Sequence, residues 1–296
     1  MQIRLAENFR TVFYAPFYAT IALGCYAREG LDITFVDSAA PGGGPMGLLD
    51  GSVDVTWGGP MRVMKARDEG GPDYVCFAEV VRRDPFYLVG KPRGGRPFDL
   101  SELPDLRFAS VSEVPTPWLC LQHDLRERGI DPTCVPRIAD RTMGDNLETL
   151  RRGDVDVVQM FEPYASMAIR QGVGEILHAA SARGDTTYTT LLALRAGVDR
   201  HRVAFSAMVR ATRAMQTWLH AHSGADLAAA VADYYPGVDR ADLATALERY
   251  RLADLWAADT PMSRAGFSRL ASSLRSGGFI STIPSYDDCI VDPLLG

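Results

Sequence analysis

One order of helix and strand boundaries occurs twice in this sequence, and this repeat constrains the fold more than any other feature. Three landmarks, each built around a proline or a glycine, recur in the same order. They are Ala15-Pro16-Phe17 with Thr116-Pro117-Trp118, Glu29-Gly30-Leu31-Asp32 with Arg128-Gly129-Ile130-Asp131, and Gly51-Ser52-Val53-Asp54-Val55 with Gly153-Asp154-Val155-Asp156-Val157. The offsets within the three pairs are 101, 99 and 102 residues. Three ordered matches with near-equal offsets indicate a duplicated unit.

Each landmark marks the beginning or the end of a regular element. Proline is favoured in the first turn of a helix, where the missing N–H has no partner to lose, and glycine supplies the left-handed residue that ends one. The Gly-x-Val-Asp-Val segments combine such a helix end with a short apolar strand. Each copy is therefore predicted to run strand, loop, helix, strand, loop, helix, strand, which is typical of a mostly parallel sheet flanked by helices. A repeat of this length is a whole lobe, since solenoid repeats are roughly 20 to 50 residues long.

One strand-like segment, residues 86–89, lies between the two copies, and another, residues 188–194, follows the second copy. We expect the chain to cross between the lobes near these segments. The first lobe is predicted to comprise residues 1–88 and 190–296, and the second lobe residues 89–189.

Residues 198–274 change to a helical periodicity, and we expect them to form a helical tail packed against the first lobe. The length of 296 residues suits two α/β units. The predicted fold class is therefore α/β, with two flytrap-like lobes and a C-terminal helical tail.

Composition and charge exclude several classes of function. Hydrophobic residues make up 47% of the chain and charged residues 23%, as in ordinary soluble globular proteins. The net charge of −6 argues against a nucleic-acid partner, because phosphate binding needs a concentrated basic face. The five cysteines are an odd number without short paired spacings, which is neither a metal motif nor a disulfide framework. We expect a monomer that holds no metal and no cofactor.

The N-terminal residues enter a strand-like pattern at once, without a basic or apolar leader. No apolar run approaches the roughly 20 residues needed to span a bilayer. We expect the chain to be cytoplasmic if Met1 is its native start, and periplasmic if a signal peptide has been removed.

The expected ligand position follows from the predicted sheets. In open parallel sheets, ligands bind beyond the carboxyl ends of the strands, where loops lead into helices. This rule selects three loops in each copy, and a ligand is predicted to lie between the two sets. The loops are residues 8–14, 38–45 and 57–60 in the first copy, and residues 110–116, 139–142 and 161–164 in the second.

These loops are rich in glycine and aromatic residues. Gly42, Gly43, Gly44 and Gly58 offer backbone N–H groups to an anionic ligand, although a flexible turn explains the glycine run equally well. The aromatic side chains suit stacking on a planar group, but about half are expected to fill the lobe cores instead. They are Phe9, Phe13, Tyr14, Trp57, Trp118, Phe161 and Tyr164.

Charged and hydroxyl side chains complete the predicted site. Arg10 and Arg82 suit bidentate pairing with a carboxylate, sulfonate or phosphate, or are ordinary surface arginines. Ser112 and Thr116 either donate hydrogen bonds to the ligand or only cap a helix. Glu162 either accepts hydrogen bonds from an amino or cationic ligand or favours the dipole of the helix that follows.

The sequence resembles the solute-binding proteins for nitrate, sulfonates, taurine and pyrimidine precursors, a superfamily that also contains the hydroxymethylpyrimidine synthases. The resemblance covers roughly residues 1–195, and it is carried by residues 15–18, 26–33, 48–55 and 161–164. It implies a type-II periplasmic-binding fold that closes on its ligand, with an ABC importer as partner. The expected ligand is a small polar or anionic organic molecule, of the pyrimidine-precursor, sulfonate or aromatic-acid class.

Two other functions stay open at this point. An intracellular enzyme on the same fold would be a decarboxylase, a desulfinase or a pyrimidine-biosynthesis enzyme, with Glu162 and Arg82 or Arg10 as its acid/base and anion clamp. The resemblance to the enzyme branches fits poorly, because the first loop, residues 8–14, holds no cysteine and the lysines lie outside the predicted cleft. No catalytic residue is therefore predicted. An intracellular ligand sensor is a third reading.

Overall fold

The computed structural model describes residues 1–36 and 43–292, and it places ten strands in two sheets of five. The first sheet has the order β2-β1-β3-β10-β4, and the second has the order β7-β6-β8-β5-β9. The strands are β1 (Gln2–Ala6), β2 (Asp32–Val36), β3 (Val55–Gly58), β4 (Tyr74–Val81), β5 (Tyr87–Gly90), β6 (Phe108–Ala109), β7 (Arg137–Ile138), β8 (Val157–Met160), β9 (Glu175–Ala179) and β10 (Thr189–Leu194).

The two sheets have the same internal arrangement. In the first, β1 pairs in parallel with β2 and β3, and β10 is antiparallel to β3 and β4. In the second, β6 pairs in parallel with β7 and β8, and β5 is antiparallel to β8 and β9. Strand β5 follows β4 of the first sheet but joins the second, and β10 follows β9 of the second sheet but joins the first. The backbone therefore crosses between the sheets at residues 82–86 and 180–188. The predicted lobe boundaries, at 88/89 and 189/190, fall within β5 and β10, the strands that directly follow the two crossings.

Thirteen α-helices connect and cover the strands in the described part of the chain. They are α1 (Ala15–Ala22), α2 (Cys25–Arg28), α3 (Gly43–Asp50), α4 (Met61–Asp68), α5 (Thr116–Glu127), α6 (Met143–Arg152), α7 (Tyr164–Arg170), α8 (Arg195–Arg200), α9 (Arg202–Ala221), α10 (Gly224–Val231), α11 (Arg240–Leu252), α12 (Arg264–Ser276) and α13 (Tyr286–Cys289). Short 3₁₀ helices cover Val12–Tyr14, Leu100–Asp105, Pro132–Cys134, Ala180–Arg183 and Ala232–Tyr234. No helix in the described ranges is both long and apolar enough to cross a membrane.

The repeated landmarks end helices in the same way in both copies. Gly30 and Gly129 both have φ of 74°, and Gly51 and Gly153 have φ of 75° and 80°. These are left-handed conformations, which glycine adopts at little cost and other residues rarely adopt. The predicted α/β fold class with a duplicated sheet and a helical C-terminal region is confirmed.

The helical tail packs on elements of both sheets. Helix α9 lies against α1, α2 and β4, while α11 contacts α7 and α12 packs between α4 and α5. Leu270 and Leu274 of α12 share a buried apolar cluster with Leu119 of α5. The tail was predicted to pack against the first lobe alone. It also contacts α5 and α7, which lie in the second.

A buried ion-pair group joins the two crossings. Arg183, in the second crossing, contacts Asp84 in the first crossing and also Asp124 of α5. Its Nε lies 3.1 and 3.0 Å from the two carboxylate oxygens of Asp124. The side chain of Arg183 is only 5% exposed. A guanidinium between two carboxylates keeps these buried charges compensated, and it fixes the crossings to each other.

Candidate functional site

A small cavity of about 80 Å³, here called the inner cavity, lies where loops of both sheets meet. The first sheet contributes the loop after β1 and the start of α4, and the second contributes the loop after β6. The two crossings close the remaining sides. The lining residues are Asn8, Phe9, Phe13, Tyr14, Gly59, Met61, Arg62, Phe86, Glu113, Val114, Pro115, Thr116, Tyr188 and Thr189.

A larger cavity of about 580 Å³, here called the outer cavity, adjoins the inner one. Phe9 and Glu113 line both cavities, so these two side chains stand at their common boundary. The outer cavity also receives residues of the tail between α10 and α11. Its lining residues are Phe9, Arg10, Thr11, Val12, Glu113, Met143, Phe161, Pro163, Tyr164, Met167, Tyr234, Tyr235, Pro236, Gly237 and Val238.

Two polar groups of the inner cavity lack a well-aligned hydrogen bond. Thr189 Oγ1 is buried near the Tyr14 hydroxyl, but it makes no hydrogen bond of ordinary geometry with a described group. The half-buried guanidinium of Arg62 lies in the same lining, and its side chain forms neither an ion pair nor a hydrogen bond with any residue that the structure describes. Unpaired buried polar groups are rare in folded proteins, so Thr189 Oγ1 is an unusual group, and the half-buried guanidinium of Arg62 adds a positive charge to the same lining.

Glu113 stands at the boundary of the cavities with one oxygen engaged. The backbone N–H of Met143 donates to Glu113 Oε1 at 2.9 Å, whereas Oε2 is buried and has no donor among the described groups. Burial and the charge of Glu113 together raise the pKa of the Tyr164 hydroxyl. A carboxylate oxygen without a donor is a strong acceptor site for a ligand.

The tyrosines of the inner cavity are neutral hydrogen-bonding groups. Burial raises the pKa of the Tyr14 hydroxyl and holds that of Tyr188 well above its ordinary value. The amide of Asn8 donates to the Tyr14 hydroxyl oxygen at 3.5 Å. These residues therefore offer dipoles rather than charge.

Seven of the predicted site residues line the two cavities. Phe13, Tyr14 and Thr116 line the inner cavity, Arg10, Phe161 and Tyr164 line the outer one, and Phe9 lines both. The hydroxyl of Thr116 also lies 2.6 Å from the sulfur of Met61, which links the second-sheet loop to α4. Arg10 pairs with Glu7 at 3.0 Å, so its charge is already shared within the protein.

Four predicted residues have their side chains outside both cavities. Trp57 is fully buried and stacks on Phe17 with ring centroids 4.7 Å apart, which is a core position. Trp118 packs beside Phe108 and under Arg137, away from both cavities. Arg82 pairs with the buried Glu79 at 2.8 Å, and Ser112 is exposed. None of the four belongs to the lining of either cavity.

Glu162 is fully buried in an ion pair that joins α7 to the tail. Its carboxylate contacts Arg249 of α11 and accepts the backbone N–H of Ser166 at 2.9 Å. The backbone N–H of Glu162 donates to the Tyr250 hydroxyl at 2.9 Å. Of the two readings made from the sequence, this geometry agrees with a carboxylate at a helix start.

The predicted glycines are placed as follows. Gly42 lies outside the described residues, and Gly43 begins α3. At Gly44, a side chain would collide with Thr56 of β3, so this glycine allows a close approach between helix and strand. Gly58 is buried at the end of β3.

Several lining residues were missed by sequence reasoning. Glu113 lies within the loop 110–116 that the strand-end rule selected, and Arg62 follows the loop 57–60 by two residues. Thr189 begins β10, directly after the second crossing. Tyr234 comes from the tail, and no local pattern in the sequence connects it to the cleft.

The fold and the cleft together define a two-lobed periplasmic-binding fold of type II. Two five-stranded sheets of identical order exchange one antiparallel strand each, and a cavity lies between their strand ends. Residues 95–233 match the model of the NMT1-like family.

Known proteins similar to this chain cover nearly its whole length. YtlA of Bacillus subtilis (strain 168), whose name describes it as a binding protein, is 25% identical over 293 residues, which are 98% of this chain and 87% of YtlA. The ligand-binding component of an ABC-type import system from Staphylococcus aureus is 15% identical, with a TM-score of 0.76 over 99% of this chain and 97% of that one. The periplasmic aliphatic sulphonate-binding protein SsuA from Escherichia coli is 17% identical, with a TM-score of 0.75 over 95% and 94%. The solved structures confirm the periplasmic-binding fold that the resemblance implies.

Proposed function

We propose that this chain is a solute-binding protein that holds a small polar or anionic organic molecule between its two sheets. The observation that carries the proposal is the inner cavity, because loops of both sheets and both crossings line it. A ligand there would contact both halves of the molecule at once. Such a contact is how a two-lobed protein couples binding to closure of its lobes.

The polar lining supports a ligand with hydrogen-bonding groups. Arg62 and Thr189 would supply donors from the first-sheet side, and a guanidinium suits a carboxylate or sulfonate group. The ligand classes that we propose are pyrimidine precursors, sulfonates and aromatic acids. Delivery to the membrane subunits of an ABC importer is the corresponding role, and the similarity to an import-system component and to a sulphonate-binding protein supports it.

The buried cysteines do not offer a reactive thiol for an alternative, enzymatic role. Burial raises the pKa of Cys76 and Cys120 to about 12 and that of Cys289 to about 11. Thiols of this kind are protonated and poor nucleophiles at neutral pH.

The proposal is tested by native mass spectrometry of the purified chain and by calorimetry with three probes: methanesulfonate, benzoate and 4-aminopyrimidine. We expect a co-purified small molecule or saturable binding of at least one probe. We also expect Arg62→Ala to lower the affinity for any anionic probe by about tenfold, because the substitution removes a charged hydrogen-bond donor. Arg275→Ala is the matched control, since Arg275 is exposed on α12. A chain that carries no ligand, binds none of the three probes and instead converts one of them would overturn the proposal.

A further inference from the structure

Glu113 is positioned by the protein and left half-unsatisfied. The start of α6 is already capped, because Thr142 and Asp145 exchange side-chain hydrogen bonds with backbone N–H groups there. The Met143 N–H adds one donor to Glu113 Oε1 and so fixes the carboxylate in place. Its second oxygen, Oε2, is buried without a donor in the described structure. The contact with the start of α6 therefore accounts for the position of Oε1 but gives Oε2 no hydrogen-bond donor.

The Glu113 side chain also lines an aromatic chamber. Aromatic side chains line the outer cavity, among them Phe9, Phe161, Tyr164 and Tyr234. The Phe161 and Tyr164 rings have centroids 6.5 Å apart, and Phe9 packs edge-on against Tyr14 at 5.3 Å. Aromatic walls of this kind suit a flat apolar group, and they lower the local polarity around a facing carboxylate.

We propose that the ligand carries an ammonium or N–H group, which donates to Glu113 Oε2, on a flat apolar body that fills the outer cavity. This inference rests on the proposed function and deepens it by naming the second recognition group. A bare oxyanion would leave Glu113 without a donor and would place its own charge near the carboxylate. An amine on an aromatic ring satisfies the carboxylate and also contacts the ring walls, since cations are attracted to aromatic faces.

The test compares three probes of one shape: benzylamine, benzyl alcohol and benzoate. Calorimetry on the full chain should give binding of benzylamine about tenfold tighter than that of benzyl alcohol, because a charged donor to a carboxylate is the stronger hydrogen bond. Benzoate should bind more weakly than either. This ranking needs no variant, so it stands even if a Glu113 variant folds poorly.

Glu113→Gln keeps the acceptor for Met143 and removes the charge. We expect this variant to have about tenfold lower affinity for benzylamine and less than about threefold lower affinity for benzyl alcohol. Glu127→Gln is the matched control, since Glu127 is exposed at the end of α5. The inference is overturned if benzoate binds best, if none of the three probes binds, or if Glu113→Gln leaves benzylamine binding unchanged. In each of those cases a co-purified ligand in native mass spectrometry would still support the proposed function.

Discussion

Arg4 holds the carboxylate of Asp54 through Nε and Nη2, at 3.0 and 2.6 Å, and Arg107 holds Asp156 through the same two atoms at 2.9 and 2.7 Å. In both copies the backbone N–H of the arginine donates to the same aspartate. In both, the guanidinium also reaches the carbonyl of the glycine three positions before that aspartate. The duplicated unit is therefore conserved between its copies down to side-chain contacts. The aspartate of the Gly-x-Val-Asp-Val landmark ties the first strand of each copy (β1, or the start of β6) to the turn before the third (β3 or β8).

The clamp at Asp156 should contribute stability that depends on pH. The hydrogen bonds from Arg107 lower the pKa of the Asp156 carboxyl to about 2, below its value in an unfolded chain. The contribution is therefore complete above about pH 4 and is lost as the pH falls towards 2. Because Arg107 is 53% exposed, solvent screening keeps the effect modest. We expect Asp156→Asn to lower the free energy of unfolding by about 1 kcal/mol at pH 7 in urea titrations.

The same titrations at pH 2 should show the variant and the parent chain with nearly equal stability. Asp154→Asn is the control, because Asp154 is exposed and forms its ion pair with the neighbouring Arg152, and it should change stability by less than about 0.5 kcal/mol. A deficit of Asp156→Asn that stays the same from pH 7 to pH 2 would show that the carboxylate charge is not its cause.

Arg183 should be far more important to stability than any surface arginine. Arg183→Met leaves Asp84 and Asp124 buried without a cation, which typically costs about 3–5 kcal/mol. Burial raises the pKa of Asp84 even with Arg183 present, and removing the guanidinium should raise it further. A folded-state pKa above the unfolded value means that the variant loses stability as the pH rises. Its deficit should therefore be larger at pH 7 than at pH 5, as measured by urea unfolding at both values.

Arg152→Met serves as the comparison for this variant, since Arg152 is exposed and its loss leaves no buried charge. Equal stability losses for Arg183→Met and Arg152→Met would contradict the role that we assign to the buried group.

The architecture could be predicted from sequence because proline and glycine act locally. A proline in a first turn and a glycine in a left-handed conformation mark helix ends whatever the chain packs against, and two copies of the marks exposed the duplication. The exchange of β5 and β10 was less visible. Both strands are buried along almost their whole length, and their sequences carry no sign of which sheet they join.

The cleft was predicted at the level of loops but not of side-chain directions. Trp57 ends a strand at the expected edge, yet its ring points into the core because Phe17 provides a flat partner there. Glu162 sits in the expected loop, but its partner Arg249 comes from the tail, 87 residues away. Such pairings depend on how distant segments pack, and single-sequence patterns do not carry that information.

Trp57 gives a direct test of the core assignment. Trp57→Ala should lower the free energy of unfolding by about 3–5 kcal/mol, because it empties a fully buried site. Trp57→Phe should cost much less, since the indole N–H has no hydrogen-bond partner in the described structure and its loss leaves no group unpaired. Binding of any ligand identified by calorimetry should be unchanged in Trp57→Phe. A Trp57 variant that keeps full stability but loses ligand binding would show that Trp57 contacts the ligand and does not serve only the core.

Thr189 and Thr190 are adjacent in β10, and each has a buried hydroxyl that makes no hydrogen bond of ordinary geometry with a described group. The Tyr14 hydroxyl lies near that of Thr189, and the Cys76 thiol lies near that of Thr190. Of the two threonines, Thr189 lines the inner cavity. Since neighbouring strand residues face opposite sides of a sheet, the two valine variants separate a ligand role from a folding role. In the free protein, each should leave stability unchanged or raise it by up to about 1 kcal/mol, because an unsatisfied buried hydroxyl is replaced by a methyl group. Thr189→Val should weaken ligand binding by about tenfold, while Thr190→Val leaves the affinity unchanged, with urea unfolding and calorimetry as the two measurements. If Thr189→Val loses stability and keeps its affinity, the hydroxyl serves the fold and a ligand does not contact it.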